Sequence, residues 1–280
     1  MSTGTSFVFL QFGRKKIYIK ELRYCIRSLL AELPEAAGHI LIYTDNMTLY
    51  KNDQGVVPID LNDQLARYTN QGTYLFRAKV CVLRDALARQ KGPCVFFDSD
   101  SFVRPGFAEA LRQGLAHGMM LNAELKLNPY PWIGGFSMKL PSGAVYAYDP
   151  ARSRMYNSGL IGVRPGMEPM LDDALAIIDG LAAATASRTH DREQFAVAEA
   201  ARLHGVPLSL NDREFVHYCS RWPKRYMRWR FSFRPELETA PLVAARPTIA
   251  LNKTIARLFK FAFFTRQFVL TGSLANPQDE

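Results

Sequence analysis

Two aspartates, Asp98 and Asp100, stand one residue apart at the end of an apolar run, Cys-Val-Phe-Phe-Asp-Ser-Asp over 94–100. Burying a carboxylate is costly unless it is paired or holds a cation. Alternate residues of an extended chain point to the same side, so both carboxylates can face one ion. A divalent cation held this way keeps open positions for phosphate oxygens. A solvated Asp/Ser turn at a strand end uses the same residues, and the rest of the chain has to discriminate. Three further groups could do chemistry. Asn157-Ser158-Gly159 precedes an apolar stretch, where an amide can meet a ligand hydroxyl and a glycine lets the backbone come close. Asp191, Glu193 and Gln194 open a helical segment; Asp191 and Gln194 also have capping-box spacing, which gives both a structural role. His217 stands beside an aromatic residue and ahead of a basic run.

The elements around these residues follow from periodicity. Residues 6–12 read as a buried strand closed by Gly13. Residues 19–33 carry Leu22, Ile26, Leu29 and Leu30 on one helical stripe. Residues 39–44 form a second strand ending at Asp45, and 56–60 a third. Residues 61–90 read as mostly helical, stopped by Gly92-Pro93, and the Asp98/Asp100 strand follows. Strand, helix, strand at this spacing is a βαβ unit, which favours a parallel sheet. Ligands of such sheets bind outside the carboxyl ends of the strands. There is no GxGxxG and no GxxxxGK[ST], which excludes a Rossmann dinucleotide site and a P-loop. Phosphate has to be held by metal and side chains.

Further along, 107–116 reads as a helix and 119–123 as a strand. Residues 126–150 are rich in Pro, Gly and aromatics, and are expected to be a binding loop, with a loop packed by its own aromatics as the alternative. A strand at 155–163, helices at 167–184 and 191–204, and a strand at 207–210 complete the pattern. Residues 221–234 hold six basic residues and no acid, with Trp222, Tyr226 and Trp229 among them. Residues 253–270 read as a basic, Phe-rich amphipathic helix, which suits an anionic membrane surface.

In order along the chain, these pieces resemble the nucleotide-sugar-dependent glycosyltransferases of the GT-A fold, particularly those like family eight. The resemblance covers roughly 6–225. It rests on the N-terminal βαβ unit, Arg77 and Lys79 on the following helix, and Asp98-Ser99-Asp100 as the DxD motif. Asn157-Ser158-Gly159, Glu193-Gln194, and His217-Tyr218 followed by Arg221-Trp222-Pro223 complete it. It implies a UDP-sugar donor and Mn²⁺ (or Mg²⁺) on Asp98, Asp100 and His217. It also implies Arg77 or Lys79 on the donor, and Asn157, Ser158 and Glu193-Gln194 on the sugar and acceptor side. Gln11, Phe12, Thr44, Asp45 and Ser99 are the remaining donor-side candidates, and Asp191, Glu193 and Gln194 the catalytic ones. Two positions depart from the family's pattern: Gln11-Phe12-Gly13 stands where a polar stretch is usual, and Cys219-Ser220 where a glycine follows the His-aromatic pair.

The expected fold is α/β, with a mostly parallel sheet, helices on both faces and a basic aromatic C-terminal extension. The expected division is 1–225 and 226–280. At 280 residues, 48% apolar and 22% charged, the composition is that of a globular protein. The net charge of +9, concentrated towards the C-terminus, points to an anionic partner. Four scattered cysteines without a CxxC pair suggest reduced thiols rather than a disulfide framework or a zinc site. No uncharged stretch reaches membrane-span length and no signal peptide is read, so a cytoplasmic enzyme, peripheral on the inner face of a membrane and acting on a saccharide or lipid-linked acceptor, is expected. The competing expectations are a nucleic-acid or anionic-surface binding protein, for which the basic run speaks but no nucleic-acid motif does, and a catalytically inactive sugar-binding homologue.

Overall fold

The computed structural model describes residues 4–127, 133–184, 191–249, 251, 254–255 and 257–263. Its centre is a seven-stranded sheet of β1 (Ser6–Gln11), β2 (Ile40–Thr44), β3 (Val56–Asp60), β4 (Cys94–Phe97), β5 (Met119–Leu121), β6 (Leu160–Val163) and β7 (Leu208–Leu210). The order across the sheet is β7-β5-β6-β4-β1-β2-β3. Only β6 runs against its neighbours β4 and β5; the other pairings are parallel. The strands are short apolar runs because both faces of the sheet are covered.

Alternation along β1 shows the two faces. Phe7 and Phe9 pack with α1 (Lys16–Glu32) and α4 (Phe107–His117), while Val8 packs with α3 (Arg77–Gln90), α5 (Glu168–Ala184) and α6 (Arg192–Leu203). The sequence expectation of an α/β fold with a mostly parallel sheet between two helical layers is what the structure has. Phe97 joins the layer to the site. Its ring lies 5.2–6.0 Å from those of Phe7, Phe9, Phe107 and Phe215. Edge-on contacts of this kind add to the gain from burial, and the next residue is Asp98.

Several expectations need adjustment. The helical stretch 61–90 is two helices, α2 (Asn62–Tyr68) and α3, separated by a turn in which Asn70, Gln71 and Gly72 all have positive φ. Left-handed backbone at three consecutive residues cannot continue a helix. Within the 126–150 connection, Ser137–Lys139 and Val145–Ala147 pair as a hairpin. Tyr146 and Tyr148 are buried in the core layer of α5 and α6, with Phe136 packed on Tyr146. The aromatics at 133–150 are therefore core; Tyr130 and Trp132 lie outside the described residues. The expected boundary at 225/226 falls inside α7 (Arg221–Ser232), whose Tyr226, Met227 and Phe231 are buried against Tyr24, Phe102 and Tyr218. Residues 257–263 are helical, and Phe259 packs on Tyr226 and Trp229.

Candidate active site

The chain leaves β4 at Phe97 and turns sharply. Ser101 Oγ donates to the Asp98 carbonyl at 2.6 Å, and the Asp98 N–H donates to the Gly159 carbonyl at 2.8 Å. The strand Ser101–Val103 then pairs with Phe215–His217, with His217 opposite Ser101. His217 therefore ends a strand rather than sitting in a loop, and the pairing carries its ring to the two aspartates. Its Nε2 lies 3.2 Å from Asp100 Oδ1 and 3.5 Å from Asp98 Oδ2. One ligand atom from each of Asp98, Asp100 and His217 falls within 4.8 Å of the others.

The ring orientation is fixed from behind. Nδ1 donates to Asn157 Oδ1 at 2.8 Å, and the same oxygen accepts the Gly159 N–H at 2.8 Å. That leaves Nε2 to face the carboxylates, as an outer hydrogen bond does for a metal-binding imidazole. Gly159 is required for space: a Cβ there would lie 2.3 Å from His217 Nδ1. Asn157 and Gly159 thus act through the histidine.

Two lysines complete the cluster. Lys79 Nζ from α3 is 2.7 Å from Asp98 Oδ2 and 3.6 Å from Glu193 Oε1. Lys224 Nζ from α7 is 2.7 Å from Asp100 Oδ2. Burial pushes the Asp100 carboxyl up, but hydrogen bonding and charge from His217, then Lys224, outweigh it and hold Asp100 far below the usual carboxylate range. Burial alone would pull the His217 ring down, yet its bonds to Asp100 and Cys219 and the two carboxylate charges raise it to about 10. The Lys79 ammonium is likewise raised: burial opposes it, and Asp98 and Glu193 more than compensate. Lys79 and Lys224 stand where a cation is needed, which shows how much negative charge the aspartates present.

Glu193 is buried at the first turn of α6. It accepts from Tyr74 OH and, at 3.0 Å, from Ser158 Oγ, and its N–H donates to Tyr74 OH at 3.0 Å. Gln194 beside it has a buried Oε1 without a hydrogen-bond partner among the described residues. Asp191 is the N-cap residue of α6 but makes no side-chain capping bond, so the capping-box reading does not hold.

These groups line one cleft of about 510 Å³ at the carboxyl ends of the parallel strands. Of the sequence candidates, Gln11, Phe12, Lys79, Asp98, Ser99, Asp100, Asn157, Glu193, Gln194 and His217 line it. Ser158 stands behind it, on Glu193. Arg77 does not line it: its guanidinium pairs with Asp179 of α5 at 2.8 Å, on the far side of α3. Thr44 and Asp45 are also outside the lining. Thr44 bonds Gln11, and Asp45 accepts the Gly13 N–H through both oxygens, so they shape the end of β1. Sequence reasoning missed Tyr18, Glu21, Lys224 and Arg228, which also line the cleft. Glu21 pairs with Arg228 at 2.8 Å, and burial, only partly offset by Arg228, raises its carboxyl. Lys224 and Arg228 lay within the basic run; their spacing of four puts them on one side of a helix.

Asp98, Asp100 and His217, flanked by the two lysines, thus form a group that could hold a metal ion, at the rim of an α/β sheet. No family model matches the chain, and no curated protein matches it in sequence. Among solved structures, the bifunctional glycosyltransferase WbbM, in its apo form, is similar at 13% identity with a TM-score of 0.47. The match covers 84% of this chain and 45% of WbbM, so the chain spans under half of that protein's length.

Proposed function

We propose that the chain is a metal-dependent glycosyltransferase that moves a sugar from a nucleoside-diphosphate sugar, with UDP as the nucleotide, to a saccharide or lipid-linked acceptor. The observation that carries this is the joining of Asp98, Asp100 and His217 in one cleft with Lys79 and Lys224. Two carboxylates and an imidazole with open positions suit Mn²⁺ or Mg²⁺ better than Ca²⁺. When bound, such an ion supplies Lewis-acid neutralisation of a diphosphate leaving group.

The chain's own residues supply the rest. Lys79, Lys224 and Arg228 face the phosphates and stabilise charge that grows on them. Asn157 keeps His217 in place. Glu193, saturated by Tyr74, Ser158 and Lys79, orients Lys79 rather than meeting substrate. Gln194 Oε1, buried and without a hydrogen-bond partner among the described residues, can accept from a sugar hydroxyl; an acceptor left in this state costs free energy until a ligand donates to it. Gln11 and Phe12, at the end of β1, face the nucleoside.

The inward turn of Lys224 and Arg228 onto acids removes two cations from the basic run and speaks against nucleic acid as the partner. The remainder of that run supports peripheral docking on an anionic membrane. Trp229 and Phe233 are exposed there beside Arg225 and Arg230, and among the described residues no helix is long and apolar enough to cross a bilayer. The test is hydrolysis or transfer from UDP-sugars with Mn²⁺ and with EDTA. Turnover that needs Mn²⁺ and is lost in Asp100→Asn supports the reading. Binding of UDP and Mn²⁺ without turnover on any UDP-sugar identifies an inactive homologue.

A further inference from the structure

The two lysines of the cleft hold their aspartates in different ways. The Lys79 side chain is 8% exposed, and its ammonium is shared between Asp98 and Glu193. The Lys224 side chain is 32% exposed, and among the described residues Asp100 is the ion-pair partner of its ammonium. Asp100 has both oxygens engaged, Oδ1 by His217 and Oδ2 by Lys224. A divalent ion at Asp98, Asp100 and His217 therefore meets a carboxylate that already carries an ammonium. Like charges this close repel strongly in a partly buried cleft, where water screens them poorly.

Of the two ammonium groups, Lys79 is enclosed and keeps Glu193 as a second partner. Lys224 has a flexible four-carbon stem reaching towards solvent. Arg228, one turn further along α7, lines the same cleft. A Lys224 side chain that leaves Asp100 thus stays in the cleft, beside the Arg228–Glu21 pair.

Resting on the reading of this cleft as a metal and nucleotide site, we propose that Lys224 is a displaceable counter-ion. It occupies Asp100 in the metal-free protein and moves onto the phosphates of a nucleoside diphosphate once a divalent ion takes Asp100. Lys224 then opposes the ion when it comes alone and favours the ion and the diphosphate together. Such coupling is reciprocal, so Mn²⁺ tightens the diphosphate by the factor that the diphosphate tightens Mn²⁺.

Lys224→Met keeps the stem and removes the charge, and Lys224→Gln is a second variant should the first fold poorly; circular dichroism checks both. Free Mn²⁺ is counted by electron paramagnetic resonance with and without UDP, and UDP binding is followed by calorimetry. Exchange of one charge contact predicts that Mn²⁺ alone binds Lys224→Met about tenfold more tightly than wild type, and that UDP with Mn²⁺ binds it about tenfold less tightly. Unchanged or weaker Mn²⁺ binding by both variants, with wild type binding Mn²⁺, overturns the displacement and leaves the metal site standing. Unchanged UDP binding in both variants overturns the transfer to phosphate. If wild type takes up no Mn²⁺ with or without UDP, the metal and nucleotide reading falls as well.

Discussion

At the scale of single residues, charge separates the two basic candidates on α3. Arg77 makes a partly exposed pair with Asp179, and pairs of that kind contribute about 0.2–1 kcal/mol. Lys79 is buried between Asp98 and Glu193, and removing one partner of a buried pair costs roughly 3–5 kcal/mol. Denaturant titration should find Arg77→Ala close to wild type in stability and turnover, and Lys79→Ala strongly impaired in both. Equal effects would put the two on the same footing and remove Lys79 from the site. The histidine makes a second prediction, in pH. His217 is raised from an ordinary 6.5 to about 10, so its protonated form is favoured by folding. A raised group contributes stability that is complete below 6.5 and is lost as pH rises through about 10. The melting temperature of EDTA-treated protein should therefore fall from pH 7 to 10, with a smaller fall in His217→Gln. A metal has to displace the same proton, so Mn²⁺ affinity should keep climbing towards pH 10 instead of levelling above the usual histidine range. An Mn²⁺ affinity flat above pH 7.5 would contradict this.

At the scale of elements, the site is held by a crossing of short segments. β4 delivers Asp98, the Ser101–Val103 and Phe215–His217 pair delivers His217, and the turn before β6 delivers Asn157 and Gly159. Gly159 is the narrowest point of that crossing. With Ala there, Cβ enters the His217 ring space, and the ring or the turn must shift. Overpacking of this sort costs about 1–3 kcal/mol. Gly159→Ala should fold, melt several degrees lower, and bind Mn²⁺ at least tenfold more weakly, because the imidazole no longer meets both aspartates. Wild-type Mn²⁺ affinity in this variant, measured by calorimetry, would show that the ring position is not what the glycine protects.

At the scale of the molecule, the sheet and its two helical layers end in a third cluster in which α1, α7 and the C-terminal segment meet. One face of α7 turns Lys224 and Arg228 into the cleft. Another exposes Trp229, 46% accessible, near Phe233 at 67%. Basic residues with exposed aromatics suit the headgroup region of an anionic bilayer. Co-sedimentation with phosphatidylglycerol vesicles should be clear for wild type and reduced several-fold for Trp229→Ser with Phe233→Ser, with cleft-dependent Mn²⁺ binding intact. Equal sedimentation with neutral and anionic vesicles, or none with either, rules out this docking surface.

Much of this was legible in the sequence, and the limit has a physical cause. Periodicity and punctuation are local, so the strands at the start of the chain, the helices α1 and α4 to α6 and the mostly parallel α/β fold follow from them. Asp98 and Asp100 were identifiable because two carboxylates after a buried strand need a counter-charge wherever the chain goes. Lys79 against Arg77 was not decided, since both lie on one helix and only packing says which side meets the sheet edge. Lys224 and Arg228 were hidden inside a run of like charges, and the 133–150 aromatics had a loop-like spacing but a core destination. Asp191 and Gln194 had the spacing of a cap without forming one. Each of these outcomes depends on which distant segment lies opposite, and a pairing such as His217 with Ser101, more than a hundred residues apart, is set by the closing of the whole sheet and its helices rather than by any local pattern.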